Sequence, residues 1–134
     1  MKDRRDVKMK IIRTKDYQDM SRKAANIISA QMILKDDSVL GLATGSTPIG
    51  IYDQLVDWYK KGDLDFSKIT TVNLDEYKGL PKENDQSYWY FMHHNLFDHI
   101  DIPAENVHIP DGTVPMDKVE QWCQDYEKAI EEAG

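Results

Sequence analysis

An apolar run that turns through a small polar loop into a helix, Val39-Leu40-Gly41-Leu42-Ala43-Thr44-Gly45-Ser46-Thr47-Pro48, constrains the fold of this chain more than any other stretch. Val39 to Ala43 is apolar without alternation, the pattern of a parallel strand covered on both faces, and it predicts a central strand. Gly45 allows a tight turn, and Thr47 carries the side-chain oxygen of an N-cap. Pro48 suits the first helical position, where a missing N–H costs nothing. Ile49, Tyr52, Leu55, Val56 and Tyr59 then recur at helical spacing and Gly62 marks the stop, so the helix is expected to run to about Lys61.

Such a junction directs unpaired N–H groups and the positive end of a helix dipole into one small space, beside the hydroxyls of Ser46 and Thr47, and that space favours phosphate. The loop has no Lys of the GxxxxGK[ST] type, and Gly41 and Gly45 do not fit GxGxxG, so a phosphorylated small molecule suits it better than a nucleotide. A plain helix cap in an α/β protein is the alternative, and this loop alone leaves both open.

A chain of 134 residues fits one domain with a real core. Its formal charge of −7 argues against a nucleic-acid surface, which needs a concentrated basic face. Cys123 is the single cysteine, which excludes an internal disulfide or a Cys-rich zinc site. Lying near Trp122 and Tyr126 on an amphipathic pattern, it is expected to be a buried thiol. No apolar run approaches membrane-spanning length, and Met1-Lys2-Asp3-Arg4-Arg5 leads into no hydrophobic signal region, so the expected location is cytoplasmic.

Residues 1–8, almost wholly charged, are expected to be disordered, with the domain proper at 9–134. Met9 opens a strand-like segment through Ile11 and Ile12. Tyr17, Met20, Ala24, Ile27 and Ile28 form one helical face between about Asp16 and Leu34, completing a β-α-β unit with the Val39 strand. Ile69 to Leu74 is a β-branched run ending in Asp75-Glu76-Tyr77, and Gly79-Leu80-Pro81 breaks the pattern. Ser87 can cap a helix carrying Tyr88, Trp89, Phe91, Met92, Leu96 and Phe97, most of which should be core. His93 and His94 point about 100° apart on that helix, so packing or surface roles suit them better than a shared metal. Val107 to Pro110 reads as a short strand, and Met116 to Ala133 as a helix with Val119, Trp122, Cys123, Tyr126 and Ile130 on one face.

The alternation gives an α/β fold, a Rossmann-like three-layer α/β/α arrangement with a mostly parallel sheet. Chemistry in open sheets sits at the carboxyl ends of strands, where the Gly45–Thr47 loop and the Asp75 segment both fall, so the two should share a crevice. In an apolar strand Asp75 would be partly desolvated, which suits a general base. Capping of a following turn, or an ion pair with Lys78, is the structural alternative for Asp75 or Glu76.

The segments GLATGSTPIGIY, TVNLDEYKGL and SYWYFMHHNLFDHIDIPAENVHIP, in this order and spacing, resemble the amino-terminal half of the glucosamine-6-phosphate deaminase family. The combination of NLDEY-GL with SYxxFM separates that family from the related 6-phosphogluconolactonases, which share the phosphate loop. The resemblance implies conversion of glucosamine 6-phosphate and water to fructose 6-phosphate and ammonia, with no metal or redox cofactor. It assigns Asp75 as the base that moves a proton from carbon 2 to carbon 1. Gly45, Ser46 and Thr47 become the substrate phosphate loop, with Ser46 at a position that is Gly in some relatives. It further implies a phosphorylated amino sugar as ligand, no nucleic-acid or membrane partner, and a homo-oligomer in the full-length family. That family's chain is about twice as long, and its second half carries the ring-opening histidine in a motif close to GxGxxGHIxFNEP together with cationic phosphate ligands. This chain lacks that motif, and His93, His94, His99 and His108 do not replace it. A sheet fold ending at Glu132-Ala133-Gly134 stops where another strand would follow, so the expectation is an incomplete sheet and a catalytically incompetent fragment. A lactone hydrolase of the same fold and a non-catalytic phosphosugar-sensing module are the alternatives.

Overall fold

The short β-branched and apolar runs become three parallel strands, β1 (Val39–Leu42), β2 (Thr70–Asn73) and β3 (Val107–His108). The amphipathic stretches become α1 (Tyr17–Leu34), α2 (Ile49–Lys60), α3 (Tyr88–Asn95) and α4 (Val119–Ala133). This is the architecture of the computed structural model of the chain, which describes residues 8–134. The strand order is β1-β2-β3. Leu40 lies opposite Thr71, Leu42 opposite Asn73, and Val72 opposite His108. Parallel neighbours need long crossovers, which α2 and α3 supply.

Alternation along the strands puts Leu40, Leu42, Thr71 and Val107 on one face and Val39, Gly41, Thr70, Val72 and His108 on the other. The first face carries the main core. Ala25 and Met32 of α1, Tyr52, Leu55 and Val56 of α2, Met92 of α3, and Phe66, Ile69, Leu96 and Phe97 between elements pack there. Burying each of the larger side chains contributes about 1.5–3 kcal/mol against leaving it in water. The second face is covered by α4, whose Val119, Trp122, Tyr126 and Ile130 are half-buried. The Tyr126 hydroxyl donates to the backbone carbonyls of Asn73 and His108, tying that helix to the ends of β2 and β3. Helices therefore flank a parallel sheet on both sides, as the alternation predicts.

Several expectations need correction. Met9, Ile11 and Ile12 form no strand and are exposed, because no neighbouring edge takes up their N–H groups among the described residues. β1 has one neighbour within the described sheet, and the middle strand is β2. The buried stripe of α1 runs through Ser21, Ala25 and Met32, with Met20, Ala24 and Ile28 half-buried beside it. Tyr17 and Ile27 lie outside it. Cys123 is exposed, because it lies at the edge of the α4 stripe that Trp122 and Tyr126 centre on the sheet. The disorder expected for residues 1–8 falls almost entirely on residues outside the described ones, and Lys8 is exposed without regular structure.

Candidate functional site

The loop after β1 is held by two phenols from the helices around it. Tyr52, 2% exposed, donates its hydroxyl proton to the Ala43 carbonyl and accepts the Ala43 N–H at 3.1 Å. Burial pushes its ionisation up to about 12. Tyr17, at the start of α1, shares its hydroxyl proton between the carbonyls of Ser46, at 2.8 Å, and Thr47, at 3.2 Å, and accepts the Gly50 N–H at 2.8 Å. Gly45 makes the turn at φ +96°, a conformation that other residues reach only with strain. Thr44 is half-buried, and Gly45, Ser46 and Thr47 are exposed. Helix α2 starts one residue later than expected, with Pro48 as its N-cap and no side-chain cap bond from that position. The Thr47 hydroxyl is therefore not the cap, and the first turn takes a phenol from α1 instead.

The segment after β2 divides its acidic pair between two tasks. β2 ends at Asn73, so Leu74 and Asp75 emerge past the sheet and are exposed. The partial desolvation expected for Asp75 is absent. Glu76 is half-buried and closes the start of α3, with one carboxylate oxygen accepting the Tyr77 and Tyr88 amides at 2.8 and 2.9 Å and the other the Trp89 amide at 3.0 Å. Ser87 completes the cap by accepting the Tyr90 N–H at 3.0 Å, as its position predicts. Lys78 forms no ion pair with this acidic pair and donates its ammonium to the Val114 carbonyl. The segment is braced from the β3 side too, since a Cβ at Gly112 would fall 2.1 Å from the Tyr77 carbonyl. The Gly79 N–H donates to the Gly112 carbonyl at 2.7 Å.

Tyr88, at the start of α3, stands beside the segment after β2. Its ring packs on Tyr77 with centroids 4.7 Å apart. Its phenol is held above its ordinary ionisation range first by the Tyr77 hydroxyl beside it, then by partial desolvation and by the negative charge of Asp75. The Thr44 hydroxyl, on the loop side, acts in the opposite direction. Asp75 also lines a groove of about 310 Å³ with Glu76, Gly112, Trp122, Cys123 and Tyr126. Asn73, 1% exposed beneath both ends, donates its amide to the Leu42 carbonyl at 3.1 Å and thereby stitches the last residues of β1 and β2 together.

The remaining polar clusters have structural partners. His93 stacks on Trp89 at 3.8 Å and pairs with Asp98 at 2.8 Å, while His94 stacks on Tyr90. No group of three His, Cys, Asp or Glu is arranged for a metal ion among the described residues. A larger cleft of about 610 Å³ between α1 and α2 is lined by Asp16, Tyr17, Asp19, Gly50, Asp53 and Asp57 and adjoins the loop after β1 through Tyr17. Sequence reasoning missed Tyr17, whereas the cap made by Glu76 is the structural alternative that the sequence offered for the acidic pair. The Asp-Glu-Tyr run itself was visible, but Tyr17 reaches a residue 33 positions away with no local signal.

Residues 14–134 match the family model described as glucosamine-6-phosphate isomerases/6-phosphogluconolactonase. The chain is 60% identical over 126 residues to a glucosamine-6-phosphate deaminase of Lachnoclostridium phytofermentans, covering 94% of this chain and 52% of that protein. It is 53% identical to one from Clostridium botulinum, covering 94% of this chain and 51% of that protein. The chain thus spans about half the length of the curated relatives it matches. Among solved structures, a monomeric glucosamine-6-phosphate deaminase superposes with a TM-score of 0.87 at 40% identity, covering 92% of this chain and 51% of that one. A 6-phosphogluconolactonase from Thermotoga maritima superposes at 0.71 with 24% identity over 92% of this chain and 54% of its own, a likeness of fold alone. With its parallel sheet, the loop after β1 and the acidic segment after β2 in the expected order, the chain belongs to the glucosamine-6-phosphate isomerase/6-phosphogluconolactonase family.

Proposed function

We propose that this chain carries half of an amino-sugar phosphate deaminase site, acting on glucosamine 6-phosphate to give fructose 6-phosphate and ammonia. The observation that carries the reading is that Gly45–Thr47 and Asp75 follow the carboxyl ends of the adjacent parallel strands β1 and β2, the edge at which an open sheet forms its ligand crevice. Within it, backbone N–H groups and hydroxyls of Gly45, Ser46 and Thr47 bind the phosphate, aided by the α2 dipole. Asp75, exposed at the mouth, takes the carbon-2 proton of the ring-opened sugar and returns it to carbon 1. The deaminase reading is favoured over lactone hydrolysis because relatives at 52–60% identity bear the deaminase name, whereas the lactonase likeness extends to fold alone. A doubly charged sugar phosphate does not cross a bilayer unaided, which supports a cytoplasmic setting. No helix among the described residues is long and apolar enough to cross a membrane. One solved relative is described as monomeric.

The test is exchange of the carbon-2 hydrogen in deuterated water, measured in a protein extended to the length of its relatives, with Asp75→Asn beside the parent. Loss of a general base lowers turnover by roughly 10²- to 10⁴-fold, about 3 to 5 kcal/mol of transition-state stabilisation, with little change in substrate binding. A folded, binding Asp75→Asn protein that exchanges the hydrogen at the parent rate would remove Asp75 from the role.

A further inference from the structure

We propose that Tyr17 is a positioning residue for the anion loop, a phenol that sets the affinity of Gly45–Thr47 for phosphate without touching the ligand; this rests on the reading of that loop as a phosphate site. Three hydrogen bonds carry the inference. The Tyr17 oxygen accepts the Gly50 N–H at 2.8 Å, so one amide of the first turn of α2 is turned inward and satisfied by the protein. Its proton engages the Ser46 and Thr47 carbonyls, at 2.8 and 3.2 Å, which holds both carbonyl dipoles toward α1. A peptide whose carbonyl is held inward presents the N–H of the next residue outward, so fixing the Ser46 carbonyl orients the Thr47 N–H toward the ligand space, while the Thr47 carbonyl precedes Pro48, which has no N–H, and its capture only turns that dipole away. Without the phenol, those carbonyls are free to swing toward the ligand space, where their partial negative charge opposes an anion.

The packing makes the contact specific to this side chain. A Cβ at Gly50 would lie 2.9 Å from the Tyr17 ring and 2.4 Å from Ser21 Oγ, so the close approach of α1 to α2 depends on the bare glycine. Tyr17 remains 48% exposed, so its ring is not a principal core group, and loss of its hydroxyl leaves the apolar packing in place. Because the loop would otherwise be fixed at binding, a preformed loop avoids part of the ordering cost and binds more tightly.

The experiment uses the 134-residue chain, inorganic phosphate as probe, and Tyr17→Phe, which keeps the ring and removes the hydroxyl. The expected result has two parts: Gly50 amide exchange rises about tenfold relative to Leu55, and phosphate affinity, read from amide shifts at Thr44–Thr47, falls about 3- to 10-fold. Faster exchange with unchanged phosphate affinity would make Tyr17 a structural cap and overturn the proposal. Unchanged exchange would show that the clamp does not hold the helix start, and overturns it equally. If the parent chain itself shows no phosphate shifts at these residues, the reading of the loop as an anion site fails, an outcome distinct from failure of the Tyr17 role.

Discussion

Helices α2 and α3 begin on the same side of the sheet and solve the same electrostatic problem in opposite ways. The first amides of α3 are consumed from within, Tyr88 and Trp89 by Glu76 and Tyr90 by Ser87, so its positive end is already neutralised by a carboxylate. The N-cap of α2 is a proline that brings no side-chain oxygen, and the phenol that reaches its first turn is neutral. A helix end closed by its own carboxylate has little left for an external anion, whereas one fastened by neutral hydroxyls keeps its field. The same contrast separates the two acidic neighbours, for Glu76 is spent on α3 while Asp75 stands clear at the mouth.

The fastening of the β1 loop should give the largest stability effect. Tyr52 holds its proton to about 12 in the folded chain, against 10.0 for a free phenol, because burial disfavours its anion. The folded state therefore keeps a proton that the unfolded chain has released. This contribution is fully present below about pH 10 and is lost as pH rises toward 12, by about 2 to 3 kcal/mol. Urea titrations at pH 9 and at pH 11.5 should show that decline in the parent and a shallower one in Tyr52→Phe. Equal slopes would mean that Tyr52 does not hold the loop in the way its contacts imply.

Breaking the α3 side comes next. Glu76→Ala strips the partners from the Tyr88 and Trp89 amides and should cost about 2 kcal/mol. Hydrogen exchange should accelerate at those amides before it does so at Tyr52. Accelerated exchange spread evenly over the chain would instead point to general loosening. The opposite substitution at the open end, Gly45→Ala, forces a Cβ into φ +96° and should cost about 1 kcal/mol by thermal unfolding.

What was legible in the sequence follows the range of the interactions. The strand-loop-helix unit through α2, the β2 run and the Ser87 cap rest on neighbours within a few residues, and each stands within a residue of where its local signals put it, although Thr47 does not make the α2 cap. The errors came where a distant group decides. Asp75 was expected inside a strand, but β2 pairs only as far as Asn73, where Tyr126 of α4 takes the strand's last carbonyl. Ile11 and Ile12 have strand-forming side chains and no described neighbouring edge to pair with. Cys123 shares the helical period of α4, yet the angle at which Trp122 and Tyr126 meet the sheet leaves it in water, and a thiol reagent should label it in the folded chain. Tyr17 looked like one more apolar position on α1, and only the approach of α1 to Gly50 gives its hydroxyl a task.

The smallest expected effect sharpens the comparison most, because it separates backbone from side chain within the open end. Ser46 adds a hydroxyl beside the loop, but its backbone does not occupy the left-handed region, so glycine there relieves no strain. Ser46→Gly should therefore cost only about 0.5 kcal/mol, through the greater freedom of the unfolded chain. Its carbonyl still accepts from Tyr17 and its N–H remains, so if the loop binds anions through preset amides, phosphate affinity should change by less than about twofold. Titration of inorganic phosphate against amide shifts at Thr44, Gly45 and Thr47 measures this directly. A loss as large as tenfold would make the hydroxyl a principal ligand. The contrast with α3 would then lie in which side chains each helix end presents, and no longer in whether its backbone donors are free.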